Sequence, residues 1–142
     1  MKKISLVSAL AIACLGSMVF AQVPKTKSAD GTKVYIISPK NGDTVTSPFT
    51  VQFGLKGMGI APAGVTSPNT GHHHLLVDVA QMPDLNVPLP NNENIRHFGA
   101  GQTEAELTLP PGRHTLQLVF ADYLHIAHDK PVTSEKITIT VK

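Results

Sequence analysis

Short runs of alternating or β-branched residues, separated by turn-forming residues, constrain the fold of this chain most. The clearest run, 48–55, reads Pro-Phe-Thr-Val-Gln-Phe-Gly-Leu. Because successive strand residues face opposite sides, such a run predicts a half-buried β-strand. Runs centred on Val34, Val51, Leu75, Leu107, Leu118 and Ile139 correspond to strands A, B, C, E, F and G of an immunoglobulin-like domain. With no sustained helical period, the sequence predicts an all-β, Greek-key β-sandwich of about seven short strands.

The segment 81–101 holds several Pro and Asn residues and interrupts this pattern. Because proline cannot donate to a β-ladder, any C′ or D strand in this segment is expected to be short or at a sheet edge. The segment is therefore predicted to be irregular, with the long B–C loop, 56–71, as a second irregular stretch.

The first 21 residues have the pattern of a secretory signal peptide. Two lysines precede an apolar run, 4–15, which is too short to span a bilayer, and Val-Phe-Ala ends the segment. We expect cleavage after Ala21 and a periplasmic or secreted protein. Anchoring as a lipoprotein at Cys14 is the alternative, although the residues before Cys14 fit a lipobox weakly.

The remaining chain is expected to form one domain, 33–142, after a flexible polar leader, 22–32. The only Cys of the full sequence lies in the signal segment, so no disulfide is expected to stabilise the exported domain. Removing the two leading lysines leaves 10 basic residues against 10 acidic ones. This balance gives no reason to expect nucleic-acid binding, and no second apolar segment is long enough to cross a membrane.

Three consecutive histidines open the predicted strand C. Alternation places His72 and His74 on one face, where we expect them to point outward, and His73 on the core face with Leu75 and Val77. His73 is therefore expected to be a buried, hydrogen-bonded residue. His114, at the other end of the sandwich, is expected to bind a turn carbonyl.

Greek-key topology brings further histidines to the end of the sandwich where strand C starts. His125 and His128 lie in the F–G connection and His97 in the D–E connection, and both connections are at this end. Imidazole-rich sites suit copper, zinc and nickel, so the sequence predicts a metal site formed by His72, His74, His125 and His128. Possible supporting residues are His73, His97, Asp122, Asp129 and Met58, the last because a thioether would favour copper.

Two other classes of function stay open at this point. The same end loops could form a non-catalytic recognition module for a glycan, a peptide or an exported partner protein. An enzyme is less favoured, because the serines lack a nucleophile-elbow context and no catalytic residue can be assigned.

Several motifs together resemble a bacterial family of domains of unknown function, DUF4399. They are the Gly-His-His-His-Leu-Leu-Val-Asp string from Gly71, the stretches Gly59–Gly64, Phe98–Glu104 and Leu109–Leu118, and His125-x-x-His128 followed by Pro131 and Ser134. The resemblance covers about Gly57 to Val141. It implies a small exported domain and brings no activity, cofactor or catalytic residue with it.

Overall fold

A computed structural model describes residues 23–142, so the predicted signal peptide, 1–21, lies outside the described residues. Ten β-strands follow one another along the chain, without an α-helix in the described part. They are β1 (Lys33–Ser38), β2 (Thr44–Val45), β3 (Phe49–Lys56), β4 (Gly59–Ile60), β5 (Thr70–Val77), β6 (Ile95–His97), β7 (Glu104–Leu107), β8 (Gly112–Ala121), β9 (Ala127–Thr133) and β10 (Ile137–Val141).

The strands form two sheets, as the predicted sandwich requires. One sheet has the order β1-β3-β7, and the other has the order β2-β10-β8-β5-β4, with β6 paired to β5 and β9 paired to β8. The predicted strands A, B and E therefore share one sheet, and C, F and G share the other. The irregular segment 81–101 contributes only the three-residue strand β6 at the edge of β5, as its prolines indicated.

The main core lies between the sheets. It contains Val51 and Phe53 from β3, Leu75 from β5, and Leu118 and Phe120 from β8, all nearly inaccessible to solvent. Burying a side chain of this size contributes roughly 1.5–3 kcal/mol. Alternation along β5 and β8 determines which residues reach this core, because every second side chain points to the other face.

A second, smaller core covers that other face of the β5–β8 pair. Leu76 and Val119 pack there against Leu89 and Ile95, which come from the segment after β5. The segment crosses the sheet face and pairs with β5 through β6. The sequence prediction that this face of β5 points outward is therefore wrong: β5 is buried on both faces from Gly71 onward.

The described part of the predicted flexible leader is bound to the domain. The Thr26 carbonyl accepts a hydrogen bond from the Asp129 amide at 2.9 Å. Ser28 donates its hydroxyl to the Lys130 carbonyl at 3.0 Å. These contacts attach the leader along the start of β9. Within residues 23–142, no helix has the length and apolar character needed to cross a bilayer.

Candidate metal centre

Two of the three consecutive histidines lie together on the covered face of β5. In the β5–β8 ladder His72 is opposite Ala121 and His74 is opposite Val119, both residues of the second core. Neither histidine is accessible to solvent. The alternation predicted from the sequence is correct, whereas the predicted exposure of this pair is wrong.

Two more histidines complete a four-histidine cluster, defined as His72, His74, His97 and His125. His97, on β6, is directly opposite His74 in the ladder, and its ring centroid lies 4.9 Å from that of His72. The His125 ring lies 4.7 Å from His97 and 5.0 Å from His72. His97 and His125 are half-buried, so they separate the buried pair from solvent.

Three members of the cluster have nitrogens close enough to share one ion. His72, His74 and His97 each offer a ring nitrogen, and these atoms all lie within 4.8 Å of one another. The Nε2 atoms of His72 and His97 are 3.2 Å apart. Tetrahedral zinc with bonds of 2.0–2.1 Å to nitrogen places its ligand atoms about 3.3 Å apart. The closest pair already has this spacing.

Three buried nitrogens of this cluster lack a hydrogen-bond partner. Neither nitrogen of His74 makes a hydrogen bond of standard geometry within the described residues, although the His72 backbone lies close enough to raise the pKa of His74, and Nδ1 of His72 makes none either. Buried polar atoms in native proteins are nearly always paired, because an unmade bond costs about 1–3 kcal/mol. Each neutral imidazole keeps a lone pair on one of its two nitrogens, and a buried lone pair that no hydrogen-bond donor approaches fits a metal ion.

Burial keeps these imidazoles neutral. It lowers the pKa of His72 to about 4, helped by the neighbouring His97 and His125. Burial likewise lowers the pKa of His74 to about 3, with His72 as the next cause. Burial also lowers the pKa of His97. Since only neutral imidazole binds metal, these three imidazoles are in their ligand form at neutral pH.

His97 and His125 reach the cluster because of their local backbone. A methyl group at Gly99 would collide with Cε1 and Nε2 of the His97 ring, so the absent side chain at Gly99 makes room for that imidazole. His125 has a φ of 66°, in the left-handed region, within a tight turn between β8 and β9. Its carbonyl accepts a hydrogen bond from the Leu89 amide, which ties the turn to the covering segment.

His128 does not join the cluster. It is the second residue of β9 rather than a loop residue, and its ring packs on Phe120, which faces the main core. His72 and His74 lie on the opposite face of that sheet. Nδ1 of His128 bonds the Thr26 hydroxyl at 2.8 Å, whereas its buried Nε2 has no partner. The predicted convergence thus holds for His125 and is wrong for His128.

The predicted supporting residues separate into different environments. His73 faces the main core between Phe53 and Phe120, and burial lowers its pKa to about 4. The Gln102 backbone raises that pKa slightly, yet neither ring nitrogen makes a hydrogen bond of standard geometry, so the expected hydrogen bonding is absent. Met58 also packs on the main core, which gives no support to a thioether ligand.

The two predicted carboxylates do not contact the cluster as ligands. Asp129 is exposed and accepts a hydrogen bond from the Ser28 amide. Asp122 is buried and accepts hydrogen bonds from the Leu124 and Ile126 amides, on either side of His125. Asp122 therefore orders the turn that carries His125.

His97 was predicted only as a possible supporting residue, yet its ring nitrogen lies with those of His72 and His74. It stands alone in an irregular segment, and no spacing links it to the triplet. The alternation of Ile95, Arg96 and His97 is the only signal that could have placed it on a strand. His114 behaves as expected: its Nε2 bonds the Pro110 carbonyl at 2.8 Å, far from the cluster at the other end of β8.

Comparison with known proteins gives one match. The family model described as Domain of unknown function (DUF4399) matches residues 51–142, which include every histidine of the cluster. No curated protein and no solved structure matches the chain significantly.

Proposed function

Because this chain belongs to the DUF4399 family, whose description assigns no function, we propose from its own residues that it is an exported domain that binds a transition-metal ion. His72, His74 and His97 supply the first three ligands, and His125 is placed to supply a fourth. The observation that carries the proposal is a group of three neutral imidazoles, two buried and one half-buried, whose nitrogens lie within 4.8 Å of one another, with neither nitrogen of His74 in a hydrogen bond of standard geometry.

The donor set limits the class of metal. All four side chains are imidazoles, and neither a thiolate nor a thioether is part of the cluster. Imidazole ligands suit Cu(II), Zn(II) and Ni(II), whereas Mg²⁺ and Ca²⁺ prefer oxygen ligands. The Asp122 carboxylate, whose charge acts on His72, accepts hydrogen bonds from backbone amides through Oδ1. A divalent transition metal therefore fits these residues better than a hard cation.

The fold favours metal binding by keeping the buried ligands away from water and uncharged. The segment that covers β5 removes His72 and His74 from water, which favours the uncharged imidazole needed for binding. A bound divalent ion would accept one lone pair from each ligating imidazole and stabilise the folded state relative to the unfolded chain. We propose a binding role, and assign no reaction to the site.

Isothermal titration of chain 22–142, without a histidine tag, tests the proposal. We expect one equivalent of Cu(II), Zn(II) or Ni(II) to bind with a Kd below about 10 μM. His74→Ala is expected to weaken that binding strongly. His114→Ala is the matched control, because this histidine lies away from the cluster and should leave metal affinity unchanged. Binding weaker than about 10 μM for all three ions would contradict the proposal.

Export is proposed on the pattern of residues 1–21 alone. Expression of the full chain in a bacterial host, followed by fractionation and amino-terminal sequencing, tests it. We expect periplasmic or secreted protein that begins at Gln22. Protein retained in the cytoplasm with its first residues intact would contradict this part of the proposal.

A further inference from the structure

The amino-terminal segment contacts the turn that carries His125. We define the strap as residues Thr26–Asp30, which lie along the start of β9. Its backbone is held by the bond from the Asp129 amide to the Thr26 carbonyl, at 2.9 Å, and by the bond from the Ser28 amide to Asp129 Oδ1, at 3.1 Å. The strap is thus attached to β9 on both sides of residue 27.

The Thr26 hydroxyl connects the strap to two buried side chains. It donates to Asp122 Oδ2 at 3.0 Å and lies 2.8 Å from Nδ1 of His128. A hydroxyl has one proton to donate, so a hydroxyl that donates to Asp122 accepts from a protonated Nδ1 of His128. Asp122 and His128 are both buried, so the Thr26 hydroxyl is a hydrogen-bond partner for two side chains that have little contact with solvent.

Asp122 in turn fixes the backbone around His125. Its second oxygen, Oδ1, accepts from the Leu124 amide at 2.9 Å and from the Ile126 amide at 3.1 Å. The His125 amide donates to the Asp122 carbonyl at 2.9 Å. His125 is a non-glycine residue in the left-handed region, a conformation that the surrounding contacts must impose.

We propose that Thr26 is a positioning residue for His125 and that the strap is therefore part of the metal site. The Thr26 hydroxyl orients the Asp122 carboxylate, the carboxylate holds the turn, and the turn places the fourth imidazole against His72 and His97. This inference rests on the proposed metal-binding function. It assigns a role in the site to a segment that contributes no ligand.

A double-mutant cycle separates positioning from a general effect on stability. Thr26→Val removes the hydroxyl and keeps the shape of the side chain. We expect it to weaken Cu(II) binding about 10-fold, the low end of the effect of residues that orient ligands. In a His125→Ala background, Thr26→Val should cause no further loss, because its effect passes through His125.

Ser28→Ala is the control within the strap, since Ser28 contacts Asp129 and Lys130 but not Asp122. It should leave Cu(II) affinity within about twofold of the wild type. An equal loss for Thr26→Val in both backgrounds, or no loss in the wild-type background, would overturn the inference.

A metal-free readout keeps the inference testable if the wild type binds no metal. The His97 and His125 rings are 4.7 Å apart, close enough for an NMR cross-relaxation signal between their ring protons. Thr26→Val should weaken this signal, and Ser28→Ala should preserve it. Absence of metal binding with the expected NMR result would refute the proposed function alone. An unchanged NMR signal in Thr26→Val would refute the positioning role.

Discussion

Nε2 of His72 lies 3.2 Å from Nε2 of His97, so a residue of a doubly buried strand meets a residue of the segment that covers it. In the absence of metal, one of these nitrogens donates to the other as a neutral hydrogen-bonded pair. When an ion binds, the donor imidazole would carry its proton on Nδ1 instead, so that both Nε2 lone pairs face the ion. The covering segment therefore does more than exclude water from β5, because it also delivers a third imidazole to the pair that β5 supplies.

Gly99→Ala tests whether the position of the His97 ring matters for metal binding, and it removes no ligand. The added methyl group would occupy the space of the His97 ring, which is half-buried and able to rotate away, while the backbone at Gly99 is suitable for alanine. We expect metal affinity to fall about 10-fold or more, with a change in unfolding free energy below about 1 kcal/mol. Titration and urea unfolding of the same protein measure both.

The exposed neighbour gives the control for this substitution. Ala100→Ser changes the adjacent position without approaching the His97 ring, and should leave metal affinity unchanged. If Gly99→Ala bound metal as tightly as the wild type, the space above Gly99 would not be what positions His97.

The sequence was sufficient to predict which histidines share a face of β5, because strand alternation is a strictly local property. His72 and His74 lie on one face and His73 on the other, as predicted. The strand assignments that place β5 beside β8 were also correct, since those strands alternate clearly. Local periodicity thus predicted the sheets and two members of the cluster.

What the sequence could not predict depends on non-local packing. The segment that buries His72 and His74 has no period, so its path over β5 could not be read from it, and His97 was predicted only as a possible supporting residue. His128 was misplaced for a similar reason. The connection after β8 is only a short turn, and β9 begins at Ala127, which directs the His128 ring toward Phe120 and the main core.

Gly71→Ala is expected to destabilise the fold at the start of the histidine run. A methyl group at Gly71 would collide with the Ala121 carbonyl and would lie 2.8 Å from the Phe120 ring. Because the obstacle is mainly backbone of the paired strand, relief requires β5 and β8 to separate. We expect a loss of about 2–3 kcal/mol in the free energy of unfolding, measured with urea.

Gly59→Ala serves as the comparison for this prediction. Gly59 pairs with Thr70 of β5, but a methyl group there would make only ordinary contacts, with the Thr70 side chain at 3.5 Å and the Asn69 carbonyl at 3.9 Å. We expect Gly59→Ala to reduce the free energy of unfolding by less than about 1 kcal/mol. Equal stabilities of the two variants would show that the approach of Gly71 to β8 is not tight.

His73→Phe should make the domain less sensitive to acid. Burial lowers the pKa of His73 to about 4, so between pH 6.5 and 4 the unfolded chain binds a proton at this residue that the folded chain does not. His73 therefore has no effect on the pH dependence of folding above pH 6.5, and the free energy of unfolding decreases as the pH falls from 6.5 toward 4. At pH 5 His73 lowers the free energy of unfolding by on the order of 2 kcal/mol. Phenylalanine does not titrate, so the variant should not show this loss.

The quantity to measure is the difference between the unfolding free energies at pH 7 and pH 5, for metal-free wild type and His73→Phe. This difference cancels any packing effect of the larger ring between Phe53 and Phe120. His114→Phe is the control, because His114 titrates with a raised pKa and should not reduce the loss at acid pH. A pH dependence identical to that of the wild type in His73→Phe would contradict the prediction.

Asp78→Asn should alter stability in the opposite pH range, through His114. Nδ1 of His114 lies 2.7 Å from Asp78 Oδ2, and this hydrogen bond raises the pKa of His114. A raised pKa means that the folded state binds the proton more tightly. The contribution of the pair is therefore complete below pH 6.5 and is lost as the pH rises through the folded pKa. Because the Asp78 side chain is 41% exposed, we expect less than about 1 kcal/mol.

NMR titration of His114 and urea unfolding at pH 6 and pH 8 measure the two consequences together. In Asp78→Asn the His114 pKa should fall toward 6.5, and the stability lost between pH 6 and pH 8 should shrink. Asp84→Asn is the control, since Asp84 bonds only its neighbour Asn86. A His114 pKa at or below 6.5 in the wild type would show that the short contact with Asp78 does not stabilise the charged imidazole.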